Sequence, residues 1–257
     1  MRWQYGYNLP DMAKMDNPVV DARTIEPTPR PEAELSRVEV IQQRLEARYG
    51  VPIWSPRFEP VDELIACILS QHTSDTNSLR AFASLKEAYP AWESVLAAET
   101  KAVADTIRHG GLADSKAARV QQVLRRLVEI EGCISLERLR EMPDAEARAY
   151  LMALPGVGPK TAAIVLSFAL GRPVMPVDTH IFRVAWRLGL IEKRIGEAKA
   201  HDALQAMVAP ENVYRFHVAL IVHGRTVCKA PTPRCQECPL TDHCRYYQER
   251  QQDCTSE

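Results

Sequence analysis

No stretch of the 257 residues is apolar over a length that would cross a bilayer, and the opening MRWQYGYNLP lacks the apolar stretch of a secretory leader. Both absences argue against a membrane protein and against an oxidising compartment in which the seven cysteines would pair as disulfides. A cytoplasmic protein, nucleoid-associated if bacterial, is expected. Charge of one sign is also missing: 32 Lys and Arg face 33 Asp and Glu, a net of −1, without the basic excess of a dedicated nucleic-acid-binding domain. No run alternates apolar and polar residues with period two, which argues against sheet.

What the chain does have is helical periodicity. Apolar residues recur at helical spacing over 34–48, 62–70, 78–88, 92–97, 101–108, 116–131, 136–141 and 145–154, with Gly110-Gly111 closing the fifth stretch. An all-α fold is expected, and 46% hydrophobic content suffices for one large core or two smaller ones. Residues 1–34 scatter five prolines among charges with little periodicity and are expected to form a flexible arm. The charge is unevenly spread. Residues 151–247 carry 12 basic and 7 acidic side chains, net +5, whereas 51–150 carry 12 and 15, net −3. The positive half points to a nucleic-acid face.

Two constellations fall in that half. In the first, Leu154-Pro155-Gly156-Val157-Gly158 reads as a tight turn, because glycine tolerates positive φ and admits close backbone approach. Pro159 follows at a first helical position, where its missing N–H costs nothing, and Lys160 opens the run TAAIVLSFAL. Helix, glycine hairpin and helix present free amides and a positive dipole end, for which a phosphate is the natural occupant. Eighteen residues on, Asp178 precedes Ile181, Val184, Ala185 and Leu188 at i, i+3, i+4, i+7 spacing and is expected to cap the helix they begin.

In the second, Cys228, Cys235, Cys238 and Cys244 are spaced C-x6-C-x2-C-x5-C. Four thiolates within 17 residues suit a zinc ion or an iron–sulfur cluster. Structural zinc sites commonly pair two short knuckles, and only one is present, so the zinc template fits poorly. Lys229 and Arg234 lie in the first loop of this cluster, with Pro231 and Pro233 holding it off the core. Cys67, within an apolar run, is expected to be a buried small hydrophobe. Cys133 and Cys254 have no assigned role.

The hairpin followed by Val177-Asp178-Thr179-His180 resembles the helix-hairpin-helix Gly/Pro-Asp motif of the base-excision DNA glycosylases, and the cysteine spacing resembles the [4Fe–4S] loop of their endonuclease III family. The likeness covers about 210 residues. It implies a six-helix barrel with the helix-hairpin-helix over 55–172. It also implies a second helical domain from 35–54 and 173–247 carrying a [4Fe–4S] cluster on the four cysteines, with 248–257 as a C-terminal tail. Damaged or abasic duplex DNA would lie between the two, bound by a monomer. It further implies a bifunctional glycosylase and lyase that removes oxidised pyrimidines, in which Lys160 attacks the sugar C1′ and Asp178 stabilises the sugar cation. A nucleophilic lysine must shed its proton, and a helix N-terminus with partial burial acts in that direction. Leu154, Gly156, Gly158, Lys229 and Arg234 would meet DNA, and Gln71 or His72 would fill the gap left by the flipped nucleotide. An adenine or mismatch glycosylase of the same superfamily is the alternative, although it would place an acid near Cys67 and add a C-terminal recognition domain. A noncatalytic iron–sulfur DNA-binding module is a third reading. Pro159 departs from the basic residue often found before the lysine, which removes one phosphate contact.

Overall fold

The computed structural model describes residues 35–255; the expected arm at 1–34 lies outside them. Every regular element among the described residues is helical. In chain order they are α1 (Arg37–Tyr49), α2 (Pro60–Ser70), α3 (Asp75–Ala88), α4 (Trp92–Ala97), α5 (Thr100–Thr106), α6 (Ala113–Glu131) and α7 (Asp144–Met152). Then come α8 (Pro159–Ile164), α9 (Thr179–Leu188), α10 (Gly196–Gln205), α11 (Val213–Thr226) and α12 (Arg245–Thr255). Helix α12 occupies most of the stretch expected as a tail.

The boundaries differ from the periodic reading where caps and tertiary partners decide. Helix α3 begins at Asp75 because Ser74 accepts a hydrogen bond from the Asn77 amide. Helix α6 begins one turn earlier than its apolar stripe, at Ala113. The expected helix at 136–141 is a single 3₁₀ turn, Glu137–Arg140, burying only Leu139. Helix α1 is fixed at its start by a capping box in which Ser36 and Glu39 satisfy one another's amides.

The chain divides into two compact units, one of Ile65–Ile134 and the other of Ser36–Leu64 with Ser135–Glu257. The first is organised on the 19-residue α6, whose buried Ala117, Val120, Leu124 and Leu127 keep a 3.6-residue stripe. Burying each leucine fully contributes about 1.5–3 kcal/mol. Gln121 on the same stripe is buried yet satisfied: its amide donates to Val95 O (2.9 Å) and Ala98 O (2.8 Å) and accepts from Thr100 Oγ1 (2.7 Å). Cys67 is 6% exposed in α2, as expected.

The second unit pairs α9 with α11 and α1 with α11. Arg215 on α11 grips Glu46 on α1 through two hydrogen bonds of 2.9 and 2.6 Å. Helix α8 continues as a π-helical turn, Val165–Ala169, whose five residues are all buried. Trp54 donates its indole N–H to the Ser167 carbonyl at 2.9 Å within that turn.

Candidate active site and thiol centre

Helix α7 and helix α8 are joined by the glycine turn the sequence calls for. Gly156 has φ 72°, a conformation that glycine adopts without the Cβ penalty, whereas Gly158 is extended at φ −97° with nothing within 4 Å of a Cβ placed on it. The fold therefore requires glycine at 156 only. Leu154 is buried with its amide bonded to Leu151 O (3.1 Å), so any contact it makes outward comes from its backbone. Pro159 is the first residue of α8 and Lys160 the second. Lys160 is exposed, so the expected partial burial of the amine is not found.

Asp178 is 4% exposed and caps α9, its Oδ1 accepting the amides of His180 (2.9 Å) and Ile181 (2.8 Å). The extended segment before it is held by side chains. Met175 donates its amide to Gln205 Oε1 (3.0 Å), the Met175 carbonyl bonds His201 Nδ1 (2.9 Å), and the Pro176 carbonyl bonds His217 Nδ1 (2.9 Å). His201 and Gln205 come from α10 and His217 from α11, so two helices fix the approach to the aspartate. Nothing in the sequence marked these histidines, because neither lies in a motif and their partners are backbone atoms distant in the chain.

Both histidines are held neutral. Burial pushes His217 down to about 4; the Asp178 carboxylate opposes this and the Lys160 ammonium reinforces it. Burial likewise lowers His201, and Lys160 again contributes. The two charges therefore act on His217 in opposite directions. A pH dependence follows. Unfolded histidine binds a proton near its ordinary 6.5 while folded His217 resists until about 4, so the unfolded chain binds more protons in that window. Stability present above pH 6.5 is lost as pH falls towards 4, with His217 alone contributing about 3 kcal/mol. Denaturant melts at pH 7, 5.5 and 4.5 check this: His217→Asn should show a shallower pH slope, and an identical slope would remove His217 as its source.

Along its flank α9 carries two arginines that bond the cysteine loop. Arg183 donates to Cys228 O (3.0 Å) and Gly224 O (2.8 Å). Arg187, buried beneath the Tyr246 ring, donates to Lys229 O (2.9 Å) and approaches Cys228 Sγ at 3.4 Å. The helix capped by Asp178 is thus also the wall of the thiol centre.

Cys228, Cys235, Cys238 and Cys244 all line one cavity, shared with Arg187, Leu188 and His223. Burial pushes the Cys238 thiol up to about 11 and also raises Cys235 and Cys244, with neighbouring thiolates adding repulsion in each case. Three thiols whose ionisation burial and neighbouring sulfur oppose suit a positively charged occupant. Among the described residues no three His, Cys, Asp or Glu side chains converge closely enough to hold a metal ion. Lys229 is exposed on this loop. Arg234 is exposed but engaged, bonding Thr226 O and Glu237 Oε1 (3.0 Å).

In the other unit, the turn after α2 leaves Gln71 half-buried and His72 exposed at φ 54°. Leu112, just before α6, is 59% exposed at φ 52°. Among the described residues these are the only non-glycine residues in left-handed backbone. Sequence reasoning missed Leu112, since a leucine before a helix carries no signal of its backbone conformation.

The helical fold, the lysine on a glycine hairpin and the buried helix-capping aspartate define a helix-hairpin-helix protein. The model of the HhH-GPD superfamily of base excision DNA repair proteins matches residues 65–210, more than half of the chain, and the chain belongs to that superfamily. Within it the chain falls with endonuclease III. It is 35% identical to endonuclease III of Thermotoga maritima over 193 residues, covering 75% of this chain and 85% of that protein, and 35% identical to endonuclease III of Bacillus subtilis over 191 residues, covering 74% and 83%. A candidate DNA glycosylase of Arabidopsis thaliana is 38% identical over 190 residues, 70% of this chain, and the match spans 64% of that relative's length. The solved structure of a trapped endonuclease III–DNA covalent intermediate matches with TM-score 0.71 at 29% identity, covering 84% of this chain and 99% of that one. A thermostable thymine-DNA glycosylase shares the fold at TM-score 0.69 and 22% identity, with 83% and 97% covered. The chain is accordingly a base excision repair enzyme of the DNA glycosylase class.

Proposed function

We propose that the protein is a bifunctional DNA glycosylase and AP lyase that removes oxidised pyrimidines from duplex DNA. The observation that carries this reading is an exposed Lys160 at the second position of α8, directly after the glycine turn, together with a buried Asp178 carboxylate at the start of α9, in a chain of the HhH-GPD superfamily. Neutral Lys160 attacks C1′ of the flipped nucleotide; the C1′–N bond breaks and the base leaves with the electron pair and a proton. Asp178 stabilises the positive charge that develops on the sugar. The sugar ring opens to a protonated imine on Nζ, a C2′ proton is removed, and β-elimination expels the 3′ phosphate. The hairpin amides grip a backbone phosphate, for which the open space at Gly158 leaves room. His72 and Leu112 face the duplex, a leucine in exposed left-handed backbone being suited to wedge into the base stack.

The test is to incubate the protein under borohydride with duplexes carrying thymine glycol, dihydrouracil, an abasic site or mispaired adenine, scoring base release, strand cleavage and covalent trapping. Release of the first two bases and trapping on the first three are expected. Release of adenine without trapping would replace the reading with a monofunctional adenine glycosylase. Binding without base release would leave a noncatalytic module.

The four cysteines would hold a [4Fe–4S] cluster that supplies structure to the DNA-facing loop when bound. Replacing Cys235 with serine should lower iron content, thermal stability and DNA affinity together. The slope of log affinity against log salt should flatten by about 1 for each phosphate that the loop no longer neutralises, Lys229 being the leading candidate. Zinc without iron in anaerobically purified protein would defeat the cluster, and undiminished affinity would defeat its role.

A further inference from the structure

We propose that Lys116 is a positioning residue for base extrusion: its ammonium ties together the two turns that carry His72 and Leu112, fixing how those side chains meet the duplex. This rests on the DNA-facing reading of His72 and Leu112 given above. Lys116 lies on the inner face of α6 and is 5% exposed. Its Nζ donates to Leu69 O at 2.8 Å and to Gly110 O at 2.9 Å. The first carbonyl belongs to the last turn of α2, three residues before His72. The second ends the 3₁₀ turn Arg108–Gly110, two residues before Leu112. The Lys116 amide also donates to the Leu112 carbonyl at 3.0 Å, with Ser115 Oγ on the same acceptor at 3.0 Å. One residue therefore touches both turns, and by two routes in the second.

Carbonyls at helix ends lack intrahelical donors, and one amine satisfies two of them. Both acceptors are neutral, so no carboxylate compensates the buried charge, and desolvation lowers the amine's pKa. An apolar side chain of the same length would avoid the buried charge but leave both carbonyls without a donor. The lysine is explained by what it joins. Non-glycine residues in left-handed backbone cost about 1–3 kcal/mol each and persist only where their surroundings over-determine them. In this unit both such residues flank the carbonyls that Lys116 holds.

Replacement of Lys116 by methionine keeps the aliphatic length and removes the donors. Extrusion is read from the fluorescence of 2-aminopurine beside a dihydrouracil lesion in a duplex. Base release from that duplex is compared with lyase turnover on a single-stranded abasic oligonucleotide, where no gap needs filling. Lys116→Met should lower extrusion and duplex base release at least tenfold while single-strand lyase turnover stays within twofold. Should the methionine variant fail to fold, Lys116→Arg retains the buried charge but misplaces the donors and should show the same selective defect. Unchanged duplex extrusion, or an equal loss on both substrates, overturns the proposal. Leu112→Ala and His72→Ala run alongside separate the two layers. If they impair extrusion and the Lys116 variants do not, only the positioning role fails; if neither impairs it, the DNA-facing reading fails first.

Discussion

Lys160→Gln should abolish borohydride trapping and strand cleavage, a loss on the order of 10⁴-fold or more, while leaving affinity for lesion-bearing duplex within a few-fold. Only a primary amine can form the imine, and glutamine offers an amide whose nitrogen lone pair is delocalised. The fold should tolerate the change. Lys160 is exposed at the second position of α8 and the buried residues of that helix begin at Thr161, so the core packing is untouched. Surface substitutions of this kind usually fall within ±0.5 kcal/mol. The measurement is covalent trapping on an abasic duplex, with binding measured at the same salt. Trapping at the parental level would reject Lys160 as nucleophile. One further effect is specific to this structure: removing the ammonium relieves part of the depression on His217 and His201, which brings their folded values closer to the unfolded one, so the acid loss of stability should be slightly smaller.

How far the sequence revealed this arrangement depended on whether the cause was local. Gly156, Pro159, the Asp178 cap and the four cysteines were legible because a left-handed turn, a first helical position, an N-cap and a thiolate set each demand particular residue types at fixed spacing. The 3₁₀ turn at Glu137–Arg140 and the π-helical continuation at Val165–Ala169 were not, since their hydrophobic patterns suit an α-helix as well. Lys116, His201 and His217 were invisible for another reason. Their partners are backbone carbonyls brought in by other helices, and a lysine or histidine on an apolar face reads the same whether it packs, braces or reacts. Gly158 is the converse case, a glycine legible as a turn residue whose φ and surroundings ask for no glycine.

In the proposed mechanism Asp178 meets two demands with one side chain. Its Oδ1 accepts two amides at the start of α9, and that helix carries Arg183 and Arg187 to the thiol centre while α10 and α11 hold the preceding carbonyls. Loss of the cap would therefore be felt well beyond the aspartate, and a substitution that tests catalysis must preserve it. Asparagine does so: its carbonyl oxygen accepts the same amides, and it ranks with aspartate at N-cap positions. Asp178→Asn should cost about 1 kcal/mol or less in stability. Base release from a dihydrouracil duplex should nevertheless slow by about 10²–10³-fold, because a neutral amide no longer offsets the cation developing at C1′. Single-turnover base release, normalised to folded protein, separates these effects. The same change should leave His217 neutral to lower pH, since the carboxylate is the group that opposes its depression. A variant that loses stability but keeps parental turnover per folded molecule would reduce Asp178 to a helix cap and move the search for the cation-stabilising group elsewhere around Lys160.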